Sequence, residues 1–282
     1  MENITMNYQQ KQQTAINFKK KLLQQKNIQT LLDVEFETLG WQIVDSINKT
    51  NYFKIITQRK VSVLRTQPHH VLFDPIRSVL YYKNQNLDEA CWLIFLMVHT
   101  GDSAKRNWQF VRELYDGIGK WDEINLDTME NWLNKAPKLK FGGHRKYESL
   151  SQLIDVVFSY QTWVKKMGGH EALFNQSFDT TEQRYAWLYQ QMKIFRFGRL
   201  AKYDYLGLCA LTGIAALKAD RCYLQGSSGP LKGAKRLFGA YDEDMLNQMT
   251  MYLAENLEIG YQEIEDALCN WQKSPQRYKK PI

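Results

Sequence analysis

From residue 87 onward, apolar residues recur at three- and four-residue spacing in one segment after another, with glycines and prolines between the segments. Few folds suit such a chain, because a period near 3.6 buries one face of a helix while a half-buried strand needs a period of two. Residues 90–98 are apolar on nearly every side and read as a buried helix with Asp88 as N-cap. Residues 149–164 place Leu150, Leu153, Ile154, Val157, Phe158 and Val164 on one stripe. Thr181 opens another helix, with Tyr185, Leu188, Tyr189 and Met192 facing inward. Leu246, Met249, Leu253 and Leu257, then Ile264, Leu268 and Trp271, repeat the pattern. Breakers at Gly142–Gly143, Gly168–Gly169, Gly198, Gly213 and 226–230 separate these helices. The expected class is mainly all-α. Residues 87–282 are expected to form the helical domain. Residues 1–86 are an N-terminal extension of mixed character, where β-branched pieces (52–57 and 61–66) sit beside helical ones.

Charge and cysteine usage narrow the function. Thirty-seven Lys and Arg against 30 Asp and Glu give a net +7, which permits nucleic acid or an anionic membrane as partner. No apolar run approaches the ~20 residues of a membrane span, and the polar residues 1–10 do not read as a signal peptide. Cys91, Cys209, Cys222 and Cys269 form no CxxC pair. They are expected to be buried thiols in a reducing cytoplasm, with no metal and no cofactor. A phosphate-binding GxxxxGK[ST] string is absent, which argues against nucleotide-driven chemistry.

The informative stretch runs from Tyr185 to Gly239. Gly198 is expected to take a positive φ, with the next helix starting near Arg199 and aiming free N–H groups outward. A DNA phosphate suits that end, with Arg199 and Lys202 supplying charge. Gly229 and Pro230 open a second basic helix, on which Lys232, Lys235 and Arg236 share one side. Asp220 follows Gly198 by 220 − 198 = 22 residues and is expected at a helix start. On residue type alone it is either an N-cap or a carboxylate placed for chemistry. His99, Trp108, His144 and Tyr147, with Arg145 beside them, offer rings and donors to a flipped base.

The order and spacing of these pieces, over roughly residues 87–275, resemble the helix-hairpin-helix DNA glycosylases. Residues 90–108, with His99-Thr-Gly-Asp-Ser103 at a helix end, stand where that family places its base-wedging loop. Residues 141–147 stand for its glycine-plus-basic segment. The resemblance implies a two-lobed helical fold, sequence-nonspecific grip on double-stranded DNA, and Asp220 stabilising the oxocarbenium-like transition state of glycosidic cleavage. Leu200 stands where bifunctional members carry a Schiff-base lysine, which implies a monofunctional enzyme leaving an abasic site. The hairpin lacks the family's second glycine, and the iron–sulfur cysteines are missing.

A narrower resemblance lies in residues 143–150 (Gly-His-Arg-Lys-Tyr-Glu-Ser-Leu), 197–201 and 226–234. These strings are similar to those of the α-glutamyl/putrescinyl thymine pyrophosphorylase group, which is linked to hypermodified thymines in phage DNA. The expectation is a monomeric cytoplasmic glycosylase that excises a bulky modified pyrimidine in defence against phages. An enzyme working on the substituent of a hypermodified thymine, or a non-catalytic reader of modified DNA, are the alternatives.

Overall fold

The computed structural model describes residues 6–280, and among them it holds thirteen α-helices and no strand. In chain order these are α1 (Tyr8–Leu23), α2 (Asp33–Ile56), α3 (Pro75–Tyr82), α4 (Leu87–Thr100), α5 (Gln109–Ile118), α6 (Leu126–Lys135) and α7 (Leu153–Lys166). Then come α8 (His170–Phe174), α9 (Thr181–Gln191), α10 (Arg199–Thr212), α11 (Gly229–Phe238), α12 (Glu243–Leu257) and α13 (Tyr261–Trp271). The all-α expectation holds. It holds even for 33–56, where β-branched residues suggested mixed structure. Phe36, Leu39, Ile43, Phe53 and Ile56 are buried at helical spacing there, and packing outweighs propensity.

The chain divides into two compact units, one of residues 1–56 with 219–282 and one of residues 57–218. The boundary expected at 86/87 falls elsewhere in sequence because the first two helices share their core with the last three. Leu39, Ile43, Leu237, Leu253, Leu268 and Trp271 belong to one apolar cluster. In this first unit α11 lies tight against α13. A Cβ at Gly229 would come within 2.7 Å of Cys269 Sγ, and one at Gly233 within 2.5 Å of the Leu268 carbonyl oxygen. Gly229, expected at a phosphate, leaves no room for a side chain between α11 and α13.

The second unit is built around α4, with Trp92, Leu93, Phe95 and Leu96 fully buried. Asn86 caps α4 by accepting from the Glu89 N–H at 3.0 Å, rather than Asp88. Asp88 instead holds His170 Nδ1, which leaves His170 Nε2 to meet the Tyr160 hydroxyl at 2.7 Å. Gly101 ends α4 at φ 59°, the left-handed C-terminal geometry glycine favours.

Candidate functional site

Just past the end of α4, residues 138–148 cross the helix in close contact. The Gly142 N–H donates to the Thr100 carbonyl at 2.8 Å, and a Cβ on Gly142 would sit 1.9 Å from the Gly101 oxygen. That approach carries Arg145 inward until it is 2% exposed. Its Nε donates to the Val98 carbonyl (2.8 Å), its Nη1 to the Tyr147 hydroxyl (3.2 Å), and its guanidinium lies 5.8 Å from the Phe197 ring centre. His99, on α4, stacks on Phe95 and meets the edge of Phe141. Burial, reinforced by Arg145 and Arg196, pushes its pKa down to about 3, so the ring is neutral at neutral pH.

Glu148 completes the cluster. Its carboxylate is buried, and Oε2 accepts from Arg196 Nε at 2.8 Å while Arg196 Nη2 reaches the Tyr147 carbonyl at 2.7 Å. Arg196 stands at φ 54°, a left-handed conformation that costs a non-glycine residue on the order of 1 kcal/mol and is held by these two bonds. Three buried atoms in this network have no hydrogen-bond partner: His99 Nε2, Arg145 Nη2 and Glu148 Oε1. An unmet donor or acceptor of this kind costs about 1–3 kcal/mol, so three in one place point to a site rather than to packing.

His99, Arg145 and Tyr147 thus come together as the sequence suggested, with Tyr147 58% exposed at the rim. His144 is exposed, on the outer side of the same turn. Sequence reasoning missed Glu148 and Arg196, which meet across 48 residues of chain. The signal available was Arg145 and Glu148 three residues apart beside a glycine pair, together with an arginine set between Phe195 and Phe197.

At the hairpin between α9 and α10, Gly198 does not take the expected positive φ: it is extended at φ −74°, and Arg196 carries the left-handed turn. A Cβ at Gly198 would meet nothing within 4 Å, so the backbone there is open to approach. Arg199 rests over Tyr203 at 4.8 Å. Lys202 is drawn onto Tyr189, 5.2 Å from the ring, and burial, with Lys193 nearby, holds its pKa below the ordinary lysine value.

In the first unit, Asp220 lies in the loop before α11 and not at a helix start, since α11 begins only at Gly229. Its two oxygens are taken by neighbours: Oδ2 accepts from Arg221 Nε at 2.8 Å and Oδ1 from the Tyr223 hydroxyl at 2.6 Å. Lys232 and Lys235 are exposed on α11, whereas Arg236 turns to Glu35. A cavity of about 470 Å³ in this unit, lined by Tyr8, Trp41, Asp45 and Tyr278 among others, holds none of the expected site residues. Among the described residues, no three His, Cys, Asp or Glu side chains are grouped to hold a metal ion. No helix among them is long and apolar enough to cross a membrane.

Residues 34–281 match the family model described as alpha-glutamyl/putrescinyl thymine pyrophosphorylase, clade 3. No curated protein and no solved structure matches the chain. The match takes in the whole cluster around Arg145 and Glu148, all of the second unit and most of the first. The chain belongs to the alpha-glutamyl/putrescinyl thymine pyrophosphorylase family, clade 3.

Proposed function

We propose that the protein acts on the 5-substituent of a hypermodified thymine in DNA, exchanging pyrophosphate against an amine and leaving the base on its sugar. The observation that carries this reading is the family match, whose name joins thymine, pyrophosphate and two amine-bearing substituents. In such an exchange the bond between the thymine 5-methylene and the diphosphate oxygen breaks, and its electron pair leaves with pyrophosphate. The amine lone pair forms the carbon–nitrogen bond, and the proton it sheds passes to a base. The reaction asks for cations at the leaving group, a proton acceptor at the amine and a partly dry setting.

The cluster in the second unit supplies that set. Glu148 Oε1, buried and unpartnered, is assigned as acceptor of the amine proton. Arg145 and Arg196 are assigned to the departing diphosphate, where fixed guanidiniums suit phosphoryl oxygens. His99, held neutral, borders the base without adding charge. DNA is held by its backbone through Arg199 and the open α10 start at Gly198 in the second unit. Lys232 and Lys235, exposed on α11 of the first unit, are assigned to phosphates in their own right. Run toward pyrophosphate release, the reaction builds the modification. Run backward it strips it, the direction that defence against modified phage DNA requires.

Glycosidic cleavage by Asp220 needs a carboxylate free to face the sugar, and the bonds from Arg221 and Tyr223 weigh against that role. The test is a duplex carrying one putrescinyl-modified thymine, incubated with the protein and labelled pyrophosphate. The expected product keeps its base, changes mass by the amine-for-diphosphate exchange, and shows no alkali-labile site. Released base with alkali-labile strands would replace this reading by glycosidic cleavage. Tight binding with no change of mass would make the protein a reader.

A further inference from the structure

We propose that a cleft beside the cluster, formed by Arg106, Lys138 and Lys140, is a binding site for phosphoryl oxyanions. The cleft measures about 220 Å³, large enough for a diphosphate, and Asp102, Gln109, Phe110 and Leu139 complete its lining. Its charge balance carries the argument. The acid in the lining is Asp102, which is spent on the protein itself. Asp102 Oδ2 accepts from the Phe110 N–H at 2.7 Å and the Val111 N–H at 3.3 Å, capping α5, while Oδ1 takes the Ser103 N–H and Arg106 Nη2. Lys138 and Lys140 are exposed, and no carboxylate among the described residues pairs with either. Arg106 differs from them in being fixed, since its two terminal nitrogens bond the Lys140, Gly101 and Asp102 oxygens. With the Arg106–Asp102 pair neutral overall, the two exposed ammonium groups leave the cleft a net positive charge on walls partly apolar, an arrangement that attracts an anion.

The backbone next to the cleft is strained. Asn107 and Trp108 lie at φ 52° and 53°, two successive left-handed residues without a glycine. Such residues cost about 1–3 kcal/mol each. They follow Arg106 directly and carry the chain into α5, with the Asn107 N–H donating to the Ala104 carbonyl at 3.0 Å and the Trp108 N–H to the Ser103 carbonyl at 3.2 Å. The opposite wall continues through Phe141, which packs on both Phe110 and His99, to Gly142 and Arg145. One segment therefore lines both the cleft and the cluster assigned above. Pyrophosphate and a DNA backbone phosphate present the same chemistry to the cleft. Arg145 and Arg196 meet the diphosphate while it is still bonded to the thymine, and the cleft takes the free pyrophosphate. That assignment rests on the exchange reaction proposed above, whereas the anion site itself does not.

The test uses the full chain and the double variant Lys138→Gln/Lys140→Gln, which spares the loop-holding Arg106. Calorimetric titration with inorganic pyrophosphate and binding of unmodified duplex DNA over a salt series are measured for both proteins. If pyrophosphate occupies the cleft, its affinity falls at least tenfold in the variant and DNA binding stays unchanged. If a backbone phosphate occupies it, pyrophosphate binding is unaffected and the slope of log affinity against log salt falls by about 2, roughly one per lysine. Unchanged pyrophosphate affinity together with an unchanged salt slope overturns the proposal. Tenfold weaker pyrophosphate binding in the variant, with no exchange product from the wild type, keeps the anion site and removes the exchange reaction.

Discussion

Compare how the two units treat the polar groups they bury. In the first, Glu35 is 3% exposed, and burial alone would raise its pKa. The Leu32 N–H and Arg236 outweigh burial and hold it below the ordinary value. The Trp271 indole donates to the Glu35 carbonyl at 3.0 Å, and the Ser46 hydroxyl to Asp266 at 2.8 Å. Among its described residues, the unpartnered buried side-chain atoms are the amide oxygens of Gln42 and Asn48, whose amide nitrogens are bonded. In the second unit the unpartnered atoms sit on groups that carry or exchange charge: His99, Arg112, Arg145, Glu148 and Arg184. A lone amide oxygen is cheap beside an unmet carboxylate or guanidinium nitrogen. The first unit leaves amide oxygens unmet, whereas the second leaves unmet atoms on ionisable side chains.

The largest effect should follow from removing one such group. Glu148→Gln keeps an oxygen for Arg196 but loses the basic one, so turnover should fall about 1000-fold, within the range of general base catalysis, while the melting temperature stays near wild type. Asp220→Asn, made in the first unit, should cost less than about tenfold by the same comparison. Steady-state rates on modified duplex decide the matter, and the reverse ranking would break the contrast between the units.

Packing in the first unit should show the opposite signature. Gly233→Ala forces a methyl to within 2.5 Å of the Leu268 carbonyl oxygen, and overpacking of this kind costs about 1–3 kcal/mol. Gly143→Ala meets nothing within 4 Å and serves as control. Thermal unfolding should drop by several degrees for the first variant and hold for the second, with the rate constant of the folded protein unchanged in both. A fall in rate without a fall in stability would give the α11–α13 crossing a part in the chemistry.

What the sequence disclosed follows from how local each feature is. α9 and α10 were legible because Thr180 caps one and glycines flank the other, all within a turn of the helix they bound. α2 was obscured by its β-branched stretch at 52–57, while Phe36, Leu39, Ile43 and Val44, which pack with helices from the far end of the chain, mark it as a buried helix only once the chain is folded. The division into units was hidden for the same reason. Gly229 marked the start of α11 as read, but its close approach to Cys269 was hidden, because a glycine before a proline signals a helix start whatever lies beside it. At the site, His99, Arg145 and Tyr147 could be found because they flank glycines. Glu148 and Arg196 each carried a local mark, but their pairing did not show, since only the folded chain brings them within 2.8 Å.

A finer test of stored charge uses pH. His99 is held neutral down to about 3 in the fold, against an ordinary value of 6.5. Between those values the unfolded chain binds a proton that the native state refuses. Stability from this residue is therefore complete above pH 6.5 and is lost as pH falls toward 3. From pH 6.5 to 5 the loss is about 2 kcal/mol, at roughly 1.4 kcal/mol per unit. Urea unfolding of wild type and His99→Gln should show that part of the acid sensitivity disappearing in the variant. Parallel curves would mean that the histidine reaches water.

The smallest effect separates the two basic surfaces by how freely their cations stand. Lys232 and Lys235 are exposed on α11, while Lys202 is half-buried, bonded weakly to the Tyr189 carbonyl at 3.4 Å and set over its ring. An ammonium in water gives up counterions when a phosphate replaces them, whereas one already packed on an aromatic has less to exchange. Lys232→Ala and Lys235→Ala should each lower the slope of log affinity against log salt by about 1, equally on every DNA sequence. Lys202→Ala should shift it by clearly less and cost some stability through lost packing. Duplex binding measured from 50 to 200 mM salt tests the order. A larger slope change at Lys202 than at Lys232 would move the main DNA contact from the first unit to the hairpin of the second.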